Sequence, residues 1–259
     1  MDVAELTQKI KQKPELCGLD DSIVEDLILS YIKKHSISLE KLKKSDLKTL
    51  IKLIRAELRL YSGRFQRGLT NRKDLLESGR INELIKSHSS TQERLSSYSK
   101  IINIIEQLKP KSILDLGCGL NPIVLAKPGV FYHASDIKQD ELSLIDNFFK
   151  LNRISGDTFV FDLRKISENY KTLPEADLCI LFKVLDIIEN KGHKIAEEIV
   201  KKVPCSYFIV SFSTRKLSGK PMNFPKRKWF ELLLQRLNYK YKTLKTENEI
   251  FYIFSKTSQ

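Results

Sequence analysis

Ser112-Ile-Leu-Asp-Leu-Gly-Cys-Gly-Leu-Asn-Pro122 is the stretch that decides the fold of this 259-residue chain. Its first five residues are mostly apolar and predict a short buried strand. Gly117 and Gly119 then permit a tight turn and a close approach of the backbone to a ligand, and Asn121 and Pro122 are typical of a helix start. This order indicates a nucleotide-binding α/β unit, while the missing third glycine of the dinucleotide fingerprint argues against NAD.

Further apolar runs downstream of the glycines also end at polar residues. The run Val130–Ala134 leads to Asp136, which follows the glycines by about 20 residues, where a carboxylate can hold both hydroxyls of a ribose. Three later runs end at Asp162, Lys183 and Ser211. Helical patterns between the runs predict a parallel sheet covered on both faces, which binds its ligand at the carboxyl ends of the strands. Taken singly, each of these residues is also an ordinary turn residue.

Composition narrows the class of protein. Lys and Arg number 45 against 32 acids, which gives a net charge of +13 and favours a polyanionic partner such as nucleic acid. A lysine-rich proteome is the alternative explanation. No run approaches the roughly 20 apolar residues of a membrane span, and the N-terminus lacks a signal-peptide pattern. The four scattered cysteines read as reduced thiols rather than disulfides or a metal site, so we expect a cytoplasmic protein without metal or membrane partner.

The N-terminal third has the pattern of a separate helical unit. Residues 1–85 are predicted to be all-helical and basic, which suggests an RNA- or ribosome-docking domain ahead of a second domain over 86–259. Arg64 and Arg67 lie in a segment where basic and aromatic residues alternate, a composition that suits phosphate contacts and base stacking. An ordinary solvated face is an equally open interpretation of this segment.

Helix-start signals give Arg94 a position. Ser22–Glu25 and Ser90–Glu93 both match the capping box, and the second predicts that Arg94 lies in the first turn of a helix leading into the glycine strand. From there its guanidinium can bind a carboxylate with two parallel hydrogen bonds, although a surface arginine beside Glu93 fits as well.

The C-terminal part adds a basic loop and a hairpin. No acid interrupts the basic residues between Arg215 and Lys228, which predicts an RNA clamp at the ligand edge of the sheet. Two last strands, around 239–243 and 250–254, predict an antiparallel hairpin that brings the sheet to seven strands. The predicted fold is therefore α/β, with the Rossmann-like, mostly parallel sheet of a class I methyltransferase behind an N-terminal helical domain.

Several segments over residues 85–259 together resemble the aminoglycoside-resistance 16S ribosomal RNA methyltransferases. Those enzymes use S-adenosylmethionine to methylate N7 of one guanine in the decoding site of the small ribosomal subunit. The similar segments are His88–Arg94, Ile113–Pro122, Tyr132–Asp136, Leu181–Lys183 and Val210–Lys220, with Trp229 behind them.

The resemblance implies a role for each candidate residue. Arg94 would bind the methionine carboxylate of the cofactor, Asp136 the ribose and Asp162 the adenine amino group. The remaining cofactor residues would be Gly117, Cys118, Gly119, Ile137, Leu163 and Phe182. RNA contacts would come from Arg64, Arg67, Lys183, Arg215, Lys216, Lys220, Arg227 and Lys228.

Guanine N7 carries no proton, so a general base is unnecessary and Lys183 and Ser211 would act by positioning. The expected partner is 16S rRNA in the 30S subunit, approached by a monomer. The family usually has Pro where this chain has Ser213, and another soon after the position of Lys183. Methylation of another RNA position such as adenine N1, or a catalytically inactive RNA-binding relative, are therefore the alternatives.

Overall fold

The N-terminal part of the chain forms a small helical unit with its own core. The computed structural model describes residues 1–62, 71–189, 192–215, 220–223 and 225–256. Helices α1 (Val3–Lys11), α2 (Asp21–His35) and α3 (Lys44–Tyr61) pack together through an apolar stripe that includes Leu50 and Ile54. In the described ranges, no helix has both the length and the apolar character that crossing a bilayer requires.

The next helices cover one face of the sheet rather than extending the N-terminal unit. They are α4 (Arg72–Glu77), α5 (Ile81–Lys86), α6 (Ser89–Arg94) and α7 (Tyr98–Leu108). Leu75 and Leu76 of α4 and Leu84 and Ile85 of α5 are buried in the core of the sheet. The core of the N-terminal unit is formed by α1–α3 and the turn that follows α1.

One seven-stranded sheet organises the rest of the described chain, in the order β3-β2-β1-β4-β5-β7-β6. Strands β1–β5 are parallel, and the hairpin of β6 and β7 adds to β5 in the antiparallel sense. Apolar cores lie on both faces, which confirms the predicted class I architecture. The strands are β1 (Ser112–Leu116), β2 (Phe131–Asp136), β3 (Gly156–Val160), β4 (Ala176–Phe182), β5 (Cys205–Ser213), β6 (Tyr241–Lys245) and β7 (Glu249–Ser255). The helices that alternate with them are α8 (Pro122–Leu125), α9 (Gln139–Asn152), α10 (Ile166–Asn169), α11 (Leu185–Ile188), α12 (Lys194–Lys202) and α13 (Lys228–Arg236).

Both predicted capping boxes are wrong. Helix α2 begins two residues earlier than expected, because the Asp20 carboxylate accepts from the Ser22 backbone N–H at 3.0 Å. Helix α6 is capped by His88, whose Nδ1 accepts from the Thr91 N–H at 3.4 Å. Arg94 is consequently the last residue of α6 and not part of a first turn.

The end of β5 also differs from the prediction. Ser211 was expected to end this strand, but antiparallel pairing with β7 continues it to Ser213, which lies opposite Glu249. The added hairpin therefore places Ser211 inside the sheet.

Candidate functional site

A pocket that is partly open to solvent lies at the carboxyl ends of β1, β2 and β4. All nine residues predicted to bind the cofactor line it, as does Lys183. The other wall comes from the end of α3, through Tyr61 and Ser62, and from His88 before α6. As predicted from the sequence, residues that follow four separate strands therefore meet at one edge of the sheet.

The glycine turn is shaped by positive backbone angles and close neighbours. Gly117 has φ +71° and Gly119 has φ +50°, in the left-handed region that favours glycine. A Cβ on Gly117 would lie 2.6 Å from Cγ2 of Val184, and one on Gly119 would lie 2.8 Å from Cε1 of His88. The Gly117 N–H also donates to the Ser135 carbonyl at 2.8 Å, which ties the turn to the end of β2.

Asp136 is fixed by backbone hydrogen bonds from both sides of the pocket. Its Oδ2 accepts from the Gly119 N–H at 3.0 Å, and its Oδ1 accepts from the N–H groups of Ile137 at 2.7 Å and Lys138 at 3.2 Å. Burial and the charge of nearby Glu141 raise the pKa of Asp136 to about 6. The carboxylate is thus held rigidly, with Oδ2 retaining the larger share of acceptor capacity for a ligand.

Glu141, in α9, is a pocket residue that the sequence analysis did not identify. It accepts from Arg72 Nη1 at 2.8 Å and lies 3.7 Å from Nζ of Lys138. Burial raises the pKa of Glu141, but the charges of Lys138, His88 and Arg72 outweigh burial and lower it to about 2. Burial lowers the pKa of His88 to about 4, so its imidazole is neutral at physiological pH.

Arg94 lies at the centre of a buried polar network. Its side chain is 1% exposed, and its Nε lies 2.9 Å from Oε1 of Glu249 while its Nη2 donates to Oε2 at 3.1 Å. Its Nη1 donates to Oδ1 of Asn121 at 2.6 Å, and the guanidinium carbon lies 4.5 Å from the ring centroid of Phe182. Burial lowers the pKa of Arg94, but Glu249 more than offsets burial, so the guanidinium remains charged. The alternative of a surface arginine is therefore wrong, and the guanidinium forms an ion pair with Glu249 that contains one hydrogen bond, from Nη2 to Oε2.

Lys183 and Ser211 join the same network. Lys183 Nζ lies 2.6 Å from Oε2 of Glu93 and 3.3 Å from Oε1 of Glu249, and the side chain is 9% exposed. Ser211 is fully buried and donates to Oε2 of Glu249 at 2.7 Å. Ser211 does not line the pocket, and its role in positioning stays a prediction. Lys183 lines the pocket as a buried, paired ammonium rather than as an exposed phosphate contact.

Asp162 has a partner that the sequence did not reveal. Arg164 Nε donates to Oδ1 at 2.8 Å, Nη2 donates to Oδ2 at 2.6 Å, and the Arg164 backbone N–H donates to Oδ1 at 2.9 Å. The same guanidinium lies over the ring of Tyr61, with its carbon 4.2 Å from the centroid. Both Arg164 and Tyr61 line the pocket. An arginine two residues after a strand-end aspartate is a signal for such a pair, but Tyr61 is far away in sequence.

The predicted basic loop contains one structural arginine. Arg227 is 11% exposed in its side chain and binds Asp186 with Nη2 at 2.6 Å and Nε at 3.1 Å. It also donates to the Ser213 carbonyl at 3.0 Å. Arg227 therefore fixes the start of α13 against β5 and α11, and its role as an RNA contact stays a prediction.

The remaining predicted RNA contacts fall into two groups. Lys220 and Lys228 are exposed, and Arg215 pairs with Glu247 at 2.6 Å while 38% of its side chain stays exposed. Three others lie outside the described residues: Arg64, Arg67 and Lys216.

Comparison with protein-family models gives one match that spans most of the chain. Residues 69–253 match the model described as ribosomal RNA methyltransferase (FmrO). A 16S rRNA (guanine(1405)-N(7))-methyltransferase of Serratia marcescens is 30% identical over 163 residues, which are 60% of this chain and 62% of that protein. The chain thus aligns with less than two thirds of the length of the curated relatives it matches.

Two solved structures are similar over nearly the whole chain. The 16S rRNA methylase RmtB superposes with a TM-score of 0.77 at 21% identity, covering 99% of both chains. The methyltransferase RmtF, solved with S-adenosylhomocysteine, gives 0.75 at 19% identity, covering 99% of this chain and all of the other. At these identities the similarity establishes the fold, including the N-terminal helices.

Proposed function

Because the chain belongs to the FmrO family of ribosomal RNA methyltransferases, we propose that it methylates guanine N7 in the decoding site of 16S ribosomal RNA, with S-adenosylmethionine as the donor. The observation that carries this proposal is the pocket, in which a Gly-x-Gly turn, two strand-end aspartates and a buried Arg–Lys pair converge. The curated relative from Serratia marcescens and the RmtF complex with S-adenosylhomocysteine support the choice of acceptor and of cofactor.

The residues present fit the proposed cofactor. Gly117 and Gly119 leave room for a ligand where a Cβ would contact Val184 or His88. Asp136 offers a carboxylate to ribose hydroxyls, and Arg94 and Lys183 bring positive charge to the end of the pocket that would receive the methionine carboxylate. Leu163 and Phe182 supply apolar surface for the adenine ring. When bound, S-adenosylmethionine supplies a methyl group activated on a sulfonium.

The ionisable groups around the pocket agree with an acceptor that needs no deprotonation. Guanine N7 is an unprotonated in-plane acceptor, so its attack on a methyl group releases no proton from N7. His88 is buried and neutral, with its Nδ1 directed to Thr91, and its geometry is that of a helix cap. The chain's contribution would be to hold the cofactor and to place a flipped-out base in line with the methyl group.

We propose that exposed lysines of the basic loop bind the RNA backbone. Lys220 precedes α13 and Lys228 is its first residue. Helices α1–α3 carry further basic residues on a separate helical unit. We propose that α1–α3 dock on the small subunit. The sequence predicts a helical unit over residues 1–85, but α4 and α5 of that range pack in the core of the sheet and so belong to the catalytic part.

Methyl transfer to purified small subunits tests the proposal. The protein would be incubated with 30S subunits and S-adenosylmethionine labelled in the methyl group. Label in 16S rRNA, together with strand cleavage after borohydride and aniline treatment, is the expected result and identifies N7. Label without cleavage would replace N7 by another atom such as adenine N1. Cofactor binding without any label would identify an inactive RNA-binding relative. Expression in a susceptible bacterium should also raise the aminoglycoside concentration that inhibits growth.

A further inference from the structure

The N-terminal helical unit, α1–α3 with the turns between them, contacts the loop that follows β2. The Asp20 N–H donates to the Ile137 carbonyl at 3.0 Å, and the Asp140 N–H donates to the Gly18 carbonyl at 3.3 Å. Leu19 and Lys138 form an isolated antiparallel bridge between these two hydrogen bonds. The loop that begins at Asp136 is therefore held by the backbone of a different unit.

The same unit also contacts the loop that follows β3. Tyr61, the last residue of α3, stacks under the Arg164 guanidinium at 4.2 Å, and Asp26 of α2 pairs with Lys165 at 2.5 Å. Arg164 in turn holds both oxygens of Asp162. The helical unit thus packs against both loops that carry the strand-end aspartates of the pocket.

We propose that the N-terminal helical unit completes the cofactor site, with Tyr61 as the residue that positions Arg164 and, through Arg164, Asp162. The inference rests on the proposed function, because it assigns the adenine end of the cofactor to this corner of the pocket. Tyr61 itself lines the pocket, so its ring borders the ligand space while its face holds the guanidinium. A guanidinium over a tyrosine ring and in two-point contact with a carboxylate has little freedom to rotate.

This arrangement determines which purine the site accepts. With Arg164 held on Tyr61, Asp162 presents acceptor oxygens to the adenine amino group. Without the ring, only the two-point contact with Asp162 holds the Arg164 guanidinium, which can then turn more easily and donate to a carbonyl at the same ring position. Loss of Tyr61 should therefore weaken binding and also reduce the preference for an amino purine over an oxo purine.

Calorimetry on the full-length protein with two ligands tests this inference. The ligands are S-adenosylhomocysteine and S-inosylhomocysteine, in which a carbonyl replaces the amino group. Tyr61→Ala should weaken binding of the adenosine ligand about 3- to 30-fold, the range of a partly desolvated cation–π contact. It should also lower the ratio between the two affinities. Tyr61→Phe keeps the ring and should bind within about three-fold of wild type. Leu60→Ala, an exposed neighbour on the same helix, is the matched control.

The outcomes separate this inference from the proposed function. If the wild-type protein does not bind S-adenosylhomocysteine, the proposed function fails. If the wild type binds and Tyr61→Ala binds with the same affinity and the same ratio, the inference is refuted. If Tyr61→Ala does not fold, Tyr61→Leu preserves apolar bulk without a ring face, and equal affinity for Tyr61→Leu and Tyr61→Phe would likewise refute it.

Discussion

Replacing Glu249 with leucine should destabilise the fold more than any surface charge change. Its carboxylate is 1% exposed and lies within 3.3 Å of three polar groups, those of Arg94, Lys183 and Ser211. Glu249→Leu leaves two buried cations without that partner and one buried hydroxyl without its acceptor. Removing one member of a buried ion pair costs about 3–5 kcal/mol, which for a chain of this size corresponds to a fall in Tm of about 6–20 °C.

Urea unfolding of wild type and variant gives the free energy directly. Glu247→Leu is the matched control, since Glu247 lies two residues earlier in the same turn and pairs with Arg215 while 69% exposed. An exposed pair of this kind contributes about 0–1 kcal/mol. We therefore expect the free energy of unfolding to fall by about 3–5 kcal/mol in Glu249→Leu and by no more than about 1 kcal/mol in Glu247→Leu.

A double-mutant cycle shows whether the loss comes from the ion pair itself. Arg94→Met combined with Glu249→Leu removes both members of the Arg94–Glu249 ion pair and should be less destabilising than the sum of the single changes, with a coupling above about 1 kcal/mol. If Glu249→Leu is no more destabilising than Glu247→Leu, or if the two single effects are additive, the network does not stabilise the fold as argued.

Three other changes test the pocket and its rim. Asp136 has a pKa of about 6, so as pH falls below 6 it takes up a proton and loses acceptor capacity. The affinity for S-adenosylhomocysteine should fall by up to about fivefold between pH 6 and 5 by calorimetry, and this dependence should disappear in Asp136→Asn. Gly119→Ala places a Cβ 2.8 Å from His88 at φ +50° and should cost about 1–3 kcal/mol in urea unfolding, whereas an unchanged midpoint would contradict the steric argument. Lys220→Glu should reduce RNA methylation and leave cofactor affinity unchanged; normal methylation at physiological salt would remove Lys220 from the RNA contacts.

The strand-end residues of the pocket could be predicted because their positions depend on local sequence. An apolar run fixes where a strand ends, and parallel strands bring their carboxyl ends to one edge of the sheet. Gly117, Asp136 and Lys183 lie where this reasoning puts them. Ser211 does not lie at a strand end, because pairing with β7 continues β5 past it to Ser213. Pairing with a strand some 40 residues later cannot be recognised from the local sequence pattern.

The partners of these residues could not be predicted, because they come from distant parts of the chain. Arg94 and Glu249 are separated by 155 residues, and the local sequence around either one does not indicate the other as its partner. The same holds for Arg72 with Glu141, which are 69 residues apart. A sequence pattern shows that a charge is present on an element, but only the packing of elements decides which opposite charge it meets.

The hydrogen-bonding groups at the two ends of the pocket differ, and the proposed orientation of the cofactor rests on that difference. Arg94 and Lys183 place two buried cations at one end, against the single buried carboxylate of Glu249 and the half-exposed Glu93. At the other end Asp136 presents a carboxylate. The proposed methionine carboxylate would accept hydrogen bonds from Arg94 and Lys183 in place of contacts that they now make to Glu249 and Glu93, and the ribose hydroxyls would find their acceptor in Asp136. Because the proposed transfer to guanine N7 needs no proton acceptor, the proposed task of the protein is to hold the methyl donor, through a network of residues on α6, β5 and β7 and of Lys183 directly after β4.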